Sequence, residues 1–485
     1  MNRVLQSTTS IALIALAANF ASGQIGERPA VDRHINQTDV NAGRSNFRQL
    51  FNQGRLIFDA RFNSLDGRGR PASTGTGAPR VPDEPAFIRT SGPDATSCAG
   101  CHNQPRSGGA GDFVANVFVL AQAADPVQMS VSPMFSNERN TLGMNGAGPI
   151  EMLAREMTAE LQAIKTSATQ AAAQSGQNVT RSLTAKGVSF GSITVLPDGR
   201  VDPTNIQGVD WDLIVKPFHQ KGAVVSIREF NNNALNHHHG MQTVERFGAG
   251  VDPDQDNVTN EVTVGDVTAL TIYQAGLNVP GQVIPDGREN RERREAIQRG
   301  QQVFGTISCT ACHIPSFTLN SRDFTEPNPY NPVGNLRVAD VPTVYRFDMT
   351  RDGEQPGLER ANGNRAIIRP FTDLKRHNLN DAQLNHFANE QVPQGTLNGF
   401  APASQFTIAP LPRPTNQFLT RKLWDCGSTA PYGHRGDLTT ITEAIYWHGG
   451  EARASRDAFM ALPQRDKDCV VEFLKSLQIR DVQGH

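Results

Sequence analysis

Two short stretches of this 485-residue sequence set a pair of cysteines beside a histidine: Cys98-Ala-Gly-Cys101-His102 and Cys309-Thr-Ala-Cys312-His313. Together they use four of the six cysteines in the chain. Thiols at this spacing add across the two vinyl groups of one haem as thioethers. The next residue then lies beneath the ring, where its imidazole ligates iron. A zinc site wants four ligands, and a redox dithiol has no use for the histidine. Two copies of one unit therefore predict two covalent c-type haems. Cys98 and Cys101 hold one, Cys309 and Cys312 the other, with His102 and His313 on the irons.

A haem iron has a second axial position, and its occupant decides between electron transfer and reaction with a small oxidant. His239 is the first candidate and Met241 the second, both in "NHHHGMQ"; a solvated histidine tract is the alternative. His377 in "FTDLKRHNL" and His434 in "APYGHRG" follow, each with a plain hydrogen-bonding role as its alternative. Asp252, Asp254 and Asp256 alternate in "VDPDQDNVTNE" as oxygen ligands do in a calcium loop. Asn257 stands where such a loop has its glycine and Thr263 where it has its closing glutamate, with Asn260 or Glu261 as substitutes. A solvated acidic turn is the competing reading. Glu151, Arg155 and Glu156 are placed to handle protons, but the four-residue spacing of Glu151 and Arg155 suits a surface ion pair better.

These residues need elements to position them. Residues 1–23 read as an export signal: one positive charge, the apolar "IALIALAANFA", then "ASG" before Gln24. The run is too short to span a bilayer comfortably, and no later segment approaches eighteen uninterrupted apolar residues. The chain is thus expected to be periplasmic or otherwise exported, with no stable membrane span. Export gives Cys426 and Cys469 a reason to form a disulfide, against two free thiols or a redox pair. A formal net charge of −2 without a long basic run argues against nucleic acid as a partner.

In "RREAIQRGQQVFGTISCTACH", Gly300 and Phe304 share a helix face, so a second helix can cross at the glycine while the ring covers a haem edge. Val470, Phe473, Leu474 and Leu477 in the last segment form the apolar stripe of the expected partner. This arrangement resembles a cytochrome c domain. Gly54 and Phe58 repeat the spacing before the first cysteine pair, and Ile150, Leu153, Met157, Leu161 and Ile164 mark the expected closing helix of that first unit. The fold class expected is mainly α: two cytochrome c-like domains with long loops, at residues 24–165 and 286–485. Residues 166–285 form a linking region with the histidine tract. Between Lys186 and Trp211, "VLPDGRV" signals a β-hairpin insertion. Trp211, Trp424 and Trp447 read as core packing rather than as electron relays.

The stretches "SCAGCHNQPRSGG", "REFNNNALNHHHGMQ", "FGTISCTACHIP", "FTDLKRHNL" and "LWDCGSTAPYGHRGDLTTITEAIYWHGGEA" carry a family resemblance. The sequence resembles the di-haem oxidoreductases, also called thiol oxidoreductases, which are relatives of bacterial di-haem cytochrome c peroxidases. The resemblance implies a periplasmic two-haem protein with electron transfer between the haems. It also implies reduction of hydrogen peroxide or another small oxidant, with electrons from a small redox donor protein. Related peroxidases bind calcium between their domains. Many members have a methionine two residues after the position of His377; here it is Leu379, which removes one expected ligand of the second haem. A pure electron carrier and a di-haem oxygenase are the other classes. The long region after the first unit, with its several candidate ligands, makes the haem of His102 the expected reacting one and that of His313 the electron-transfer one.

Overall fold

Regular structure in this chain is helical at the two cysteine units and sheet-like only in small pieces. The computed structural model describes residues 26–69, 95–111, 115–116, 138–252, 254, 256–388 and 416–481. The expected export segment, residues 1–23, lies outside them. The main elements are α1 (Phe47–Asp59), α2 (Ala147–Ser175), β1 (Val179–Ala185), β2 (Val188–Val195), β3 (Val201–Asp202), α3 (Ile227–Ala234), α4 (Val264–Ala275), α5 (Arg291–Thr306), α6 (Ile441–Tyr446) and α7 (Gln464–Lys475). Every sheet among the described residues has two or three strands.

Two glycines set the two helix crossings. α1 starts at a capping box, in which Asn46 accepts from the Gln49 amide and Gln49 returns the bond. Eight residues on, Gly54 lies so close to α4 that an added Cβ would stand 2.1 Å from the Ala269 carbonyl oxygen. On α5, a Cβ at Gly300 would stand 1.9 Å from the Cys469 carbonyl oxygen of α7. In both pairs an aromatic ring of the crossing helix meets the phenylalanine four residues after the glycine. Tyr273 lies 5.3 Å from Phe58, and Phe473 lies 5.4 Å from Phe304, ring centre to ring centre.

The second crossing is the one the apolar stripe predicts, and Val470, Phe473, Leu474 and Leu477 are all buried. The first is not. Its crossing partner is α4, whereas the predicted closing helix, α2, packs its stripe on the β1–β2 hairpin. Hence the first unit is not complete at residue 165; α2 and the sheet are inserted before its last helix. The physical reason lies in α4 itself. Eleven of its twelve residues, every position from Gly265 to Ala275, are buried, so the helix has no polar face to give a stripe its contrast.

The predicted turn at "VLPDGRV" is present, with Leu196 N donating to the Arg200 carbonyl oxygen between β2 and β3. The longer hairpin is β1–β2, one turn earlier, so the insertion has three strands. Glu151 and Arg155 form an ion pair as expected, but in the interior rather than at the surface. Glu151 is fully buried, accepts from the Ile227 amide at 2.8 Å and from Asn328 at 2.8 Å, and Arg155 also donates to Thr325. Glu156 pairs with Lys186. Trp424 is core, against Gly146 at the start of α2, while Trp211 lies under Lys165 and Trp447 stacks on His386.

The expected Cys426–Cys469 bridge is absent; both thiols are free and buried. Cys426 Sγ instead donates to the Leu474 carbonyl oxygen at 3.1 Å. That carbonyl is five residues along α7 from Cys469, or about 7.5 Å of helix rise. Burial pushes the Cys426 thiol well above its ordinary range, so it is protonated and inert.

Candidate haem sites

Cys98–Cys101 is a single helical turn opened by Ser97, whose hydroxyl donates to the Phe58 carbonyl oxygen at the end of α1. The turn is thereby fixed to the crossing helices. His102 follows, and its Nδ1 meets the Leu142 carbonyl oxygen at 3.0 Å. Since a carbonyl only accepts, Nδ1 carries the proton and Nε2 keeps its lone pair. Phe58 lies 6.4 Å from the His102 ring. In the second unit His313 Nδ1 meets the Phe371 carbonyl oxygen at 2.9 Å, and Phe304 lies 6.2 Å from its ring. Burial, its largest cause, pulls each of the two imidazoles down to about 4, so both are neutral at neutral pH. Burial likewise pushes Cys98 and Cys309 up to about 12. Thiols held protonated are the opposite of what a redox dithiol needs.

A second histidine faces each unit with the same handedness of bonding. His239 Nδ1 meets the Ala95 carbonyl oxygen at 3.1 Å, and its Nε2 lies 3.3 Å from Cys98 Sγ. It closes a π-helical turn, Leu235–His239, which continues α3 and ends at Gly240 with φ 67°. The wider turn rotates the last of three consecutive histidines inward: His237 is exposed and His239 buried. In the second unit the partner is His448, just past α6. Its Nδ1 meets the Ala444 carbonyl oxygen at 2.7 Å, and it lies near enough to His313 that a proton on one ring disfavours a proton on the other. Burial pulls its pKa down too, leaving a neutral ring with a free Nε2 lone pair. Sequence reasoning missed His448. The signal was available in "AIYWHGG", where a histidine ends a helix just before two glycines.

The other candidates are otherwise engaged. Met241 is fully buried in the apolar cluster of Leu235, Val262 and Leu270, which accounts for its burial as packing. His377 offers no lone pair: Nε2 bonds Asp373 at 2.8 Å and Nδ1 bonds Glu451 at 2.7 Å. Burial would lower its pKa, but hydrogen bonds to Asp373, Cys312 and Glu451 outweigh this and hold it at about 11. Cys312, Asp373 and His377 lie within ligand distance of one another, yet this sulfur is one of those spaced for haem, and the imidazole is spoken for. His434 is buried against Gln220 and Phe418; burial, then the charges of Arg139, Lys221 and Arg435, pull it down to about 2. It sits among cationic groups of the kind that meet haem carboxylates, with its Nδ1 on a side chain rather than on a carbonyl of the backbone.

Asp252, Asp254 and Asp256 converge as their spacing predicts, with ligand oxygens within 4.8 Å of one another. Asn257 adopts φ 72°, so it makes the turn expected of a glycine. Thr263 caps α4, and Glu261, whose carboxylate accepts from the Gln242 amide at 2.7 Å, is not among the converging oxygens. Burial, then the neighbouring aspartates, pushes Asp254 up to about 6 and Glu261 up to about 9.

Known proteins resemble parts of this arrangement. The family model "Di-haem oxidoreductase, putative peroxidase" matches residues 412–477, the segment that contains His434, His448 and all of α7. A curated relative, cytochrome-c peroxidase IdrP2 of Denitromonas iodatirespirans, is 30% identical over 105 residues. That match covers 21% of this chain and 28% of the relative. Among solved structures, hydrazine synthase of Kuenenia stuttgartiensis under xenon pressure is 15% identical, with a TM-score of 0.37 over 98% of this chain and 100% of that one. A MauG-like protein associated with microbial copper homeostasis is 17% identical, with a TM-score of 0.28 over 59% of this chain and 78% of that one.

Proposed function

We propose that this chain is an exported di-haem c-type oxidoreductase of two cytochrome c-like units, which reduces hydrogen peroxide with electrons from a small donor protein. One observation carries the reading. Four histidines, His102 and His239 in the first unit and His313 and His448 in the second, each bond a backbone carbonyl through Nδ1. That bond fixes the tautomer in which Nε2 ligates a metal, and the two members of each pair belong to one cysteine unit. A haem held there would supply the redox chemistry, storing electrons and passing them on to peroxide. Among the described residues no helix is long and apolar enough to cross a membrane.

The residues of the chain divide the work. His102 and His313 sit directly after their cysteines, and the helical turn that presents the thiols also aims the ring. His448 is tied to its own helix through Ala444, a rigid mount that suits a ligand kept through electron entry. His239 ends a π-turn before a glycine in the left-handed region, a mount that can rotate away. The first unit is therefore the place where peroxide reacts, and the second the place where electrons arrive. The same four histidines would also serve a pure electron carrier, which is the second reading.

Peroxide turnover separates the two. Wild-type protein reduced by one electron should consume peroxide, and the fully oxidised protein should not. His239→Ala should react with peroxide in the oxidised state, with no prior reduction. If neither the half-reduced wild type nor His239→Ala consumes peroxide, the chain is an electron carrier.

A further inference from the structure

We propose that Arg228 is a positioning residue for His239: the buried fork it makes to Glu245, Glu326 and Thr268 closes the chain around the π-turn and holds the imidazole on the first cysteine unit. The proposal rests on the reading of His239 as a ligand of the first haem, and its test separates the two.

α3, which runs into the π-turn, faces inward mainly with polar groups. Of its four buried residues only Ile227 is apolar; the others are Arg228, Asn231 and Asn232. Arg228 is fully buried, and its guanidinium reaches three separate segments. Nε donates to Glu326, on the strand Asp323–Glu326 that follows the second cysteine unit. One terminal nitrogen donates to Glu245, on the short helix Val244–Phe247, and the other to Thr268 of α4. The two carboxylate side chains are nearly as buried, Glu245 at 4% and Glu326 at 1% exposed. A buried ion cluster adds little net stability over apolar groups of the same volume, whereas its directed bonds admit one arrangement. Such a fork sets the register of α3 rather than the strength of the core.

That register bears directly on His239. Arg228 stands eleven residues before it and Glu245 six after, so their ion pair closes a loop with the π-turn inside. Asn232, one turn along α3 from Arg228, donates to the same Glu245 at 3.1 Å. The Leu336 amide, from the segment beyond the second cysteine unit, donates to Glu245 at 2.7 Å. Gln274 of α4 donates to Asn231 at 2.5 Å. A rotation of α3 by one residue, about 100°, breaks these bonds together. It also carries His239 Nε2 away from Cys98, which it now meets at 3.3 Å.

The test uses the full-length holoprotein, with Arg228→Lys as the main variant. Lysine keeps the charge and loses the planar fork. Carbethoxylation mapped by mass spectrometry reads the position of His239 whatever ligates the iron, with the exposed His237 as internal standard. His239 should be protected in wild type and modified in Arg228→Lys. Electron paramagnetic resonance should show the first haem passing from low to high spin and the second unchanged. The oxidised variant should consume peroxide about tenfold faster than wild type, or more. Glu245→Gln, which keeps the shape and removes the charge, should move each readout the same way, and it stands in if Arg228→Lys does not fold. Leu183→Ala, at a fully buried apolar site of the β1–β2 hairpin, should leave His239 protected and both haems low-spin. Protection of His239 in both Arg228→Lys and Glu245→Gln, or its modification in Leu183→Ala as well, overturns the positioning role. If His239→Ala leaves the first haem low-spin, the ligand reading fails, while the labelling still decides whether Arg228 positions the ring.

Discussion

Replacing Cys98 and Cys101 together by alanine removes one of two haems from the pyridine haemochrome count, and replacing Cys309 and Cys312 removes the other. The effect is all or none because the link is covalent, and a haem without thioethers is held only by its axial histidines. The two losses are independent because the units pack separately. Cys98 borders the apolar cluster of Phe58, Leu270 and Tyr273, while Cys309 borders that of Phe304, Val470 and Phe473. Each double variant should therefore keep the spectrum of the other haem. A count of one in the wild type, or haem that acid acetone extracts, contradicts covalent attachment at both pairs.

The second large effect is on stability. His377 stands between Asp373, which is buried, and Glu451, with both ring nitrogens engaged. Removal of one partner from a buried ion pair costs about 3–5 kcal/mol, because the remaining charge stays buried without compensation. His377→Ala should lose stability on that scale at pH 7, read as a fall in the midpoint of denaturant unfolding at unchanged slope. The pH dependence has a definite sign. The imidazole is held at about 11 against an ordinary value of 6.5, so the folded state binds this proton more tightly. Its contribution is fully present below pH 6.5 and is lost as pH rises through about 11. The gap between wild type and His377→Ala should therefore narrow steadily as pH rises above 6.5. A gap under about 1 kcal/mol at pH 7, or one that does not change with pH, contradicts the protonated bridge.

How legible such a protein is depends on how local its chemistry is. The Cys-x-x-Cys-His units can be read directly because thioether spacing is a property of five consecutive residues. α5 and α7 can be read because each has one buried stripe and a polar face. α4 cannot, because it is buried all round, and the apolar stripe of α2 drew attention away from it. A stripe says that a helix has a buried face, not what covers it. The candidate sixth ligands divide in the same way. His239 stood out because it lies in a run of three, although only the π-turn decides which of the three points inward. His448 stands alone in its segment, and its role depends on α6 delivering it to a unit built from residues far earlier in the chain. The disulfide expectation followed from parity and export. Parity cannot register that the Leu474 carbonyl already satisfies Cys426.

The central claim is that four carbonyl-anchored histidines form two bis-histidine haem sites. Low-temperature electron paramagnetic resonance of the oxidised protein tests it most directly, with wild type, His239→Ala and His448→Ala measured side by side. The account predicts two low-spin bis-histidine signals in the oxidised wild type. His239→Ala should convert one of them to high spin, His448→Ala the other, and each should leave its counterpart unchanged. A resting wild type with one high-spin haem, or a variant that leaves both signals low-spin, would contradict it.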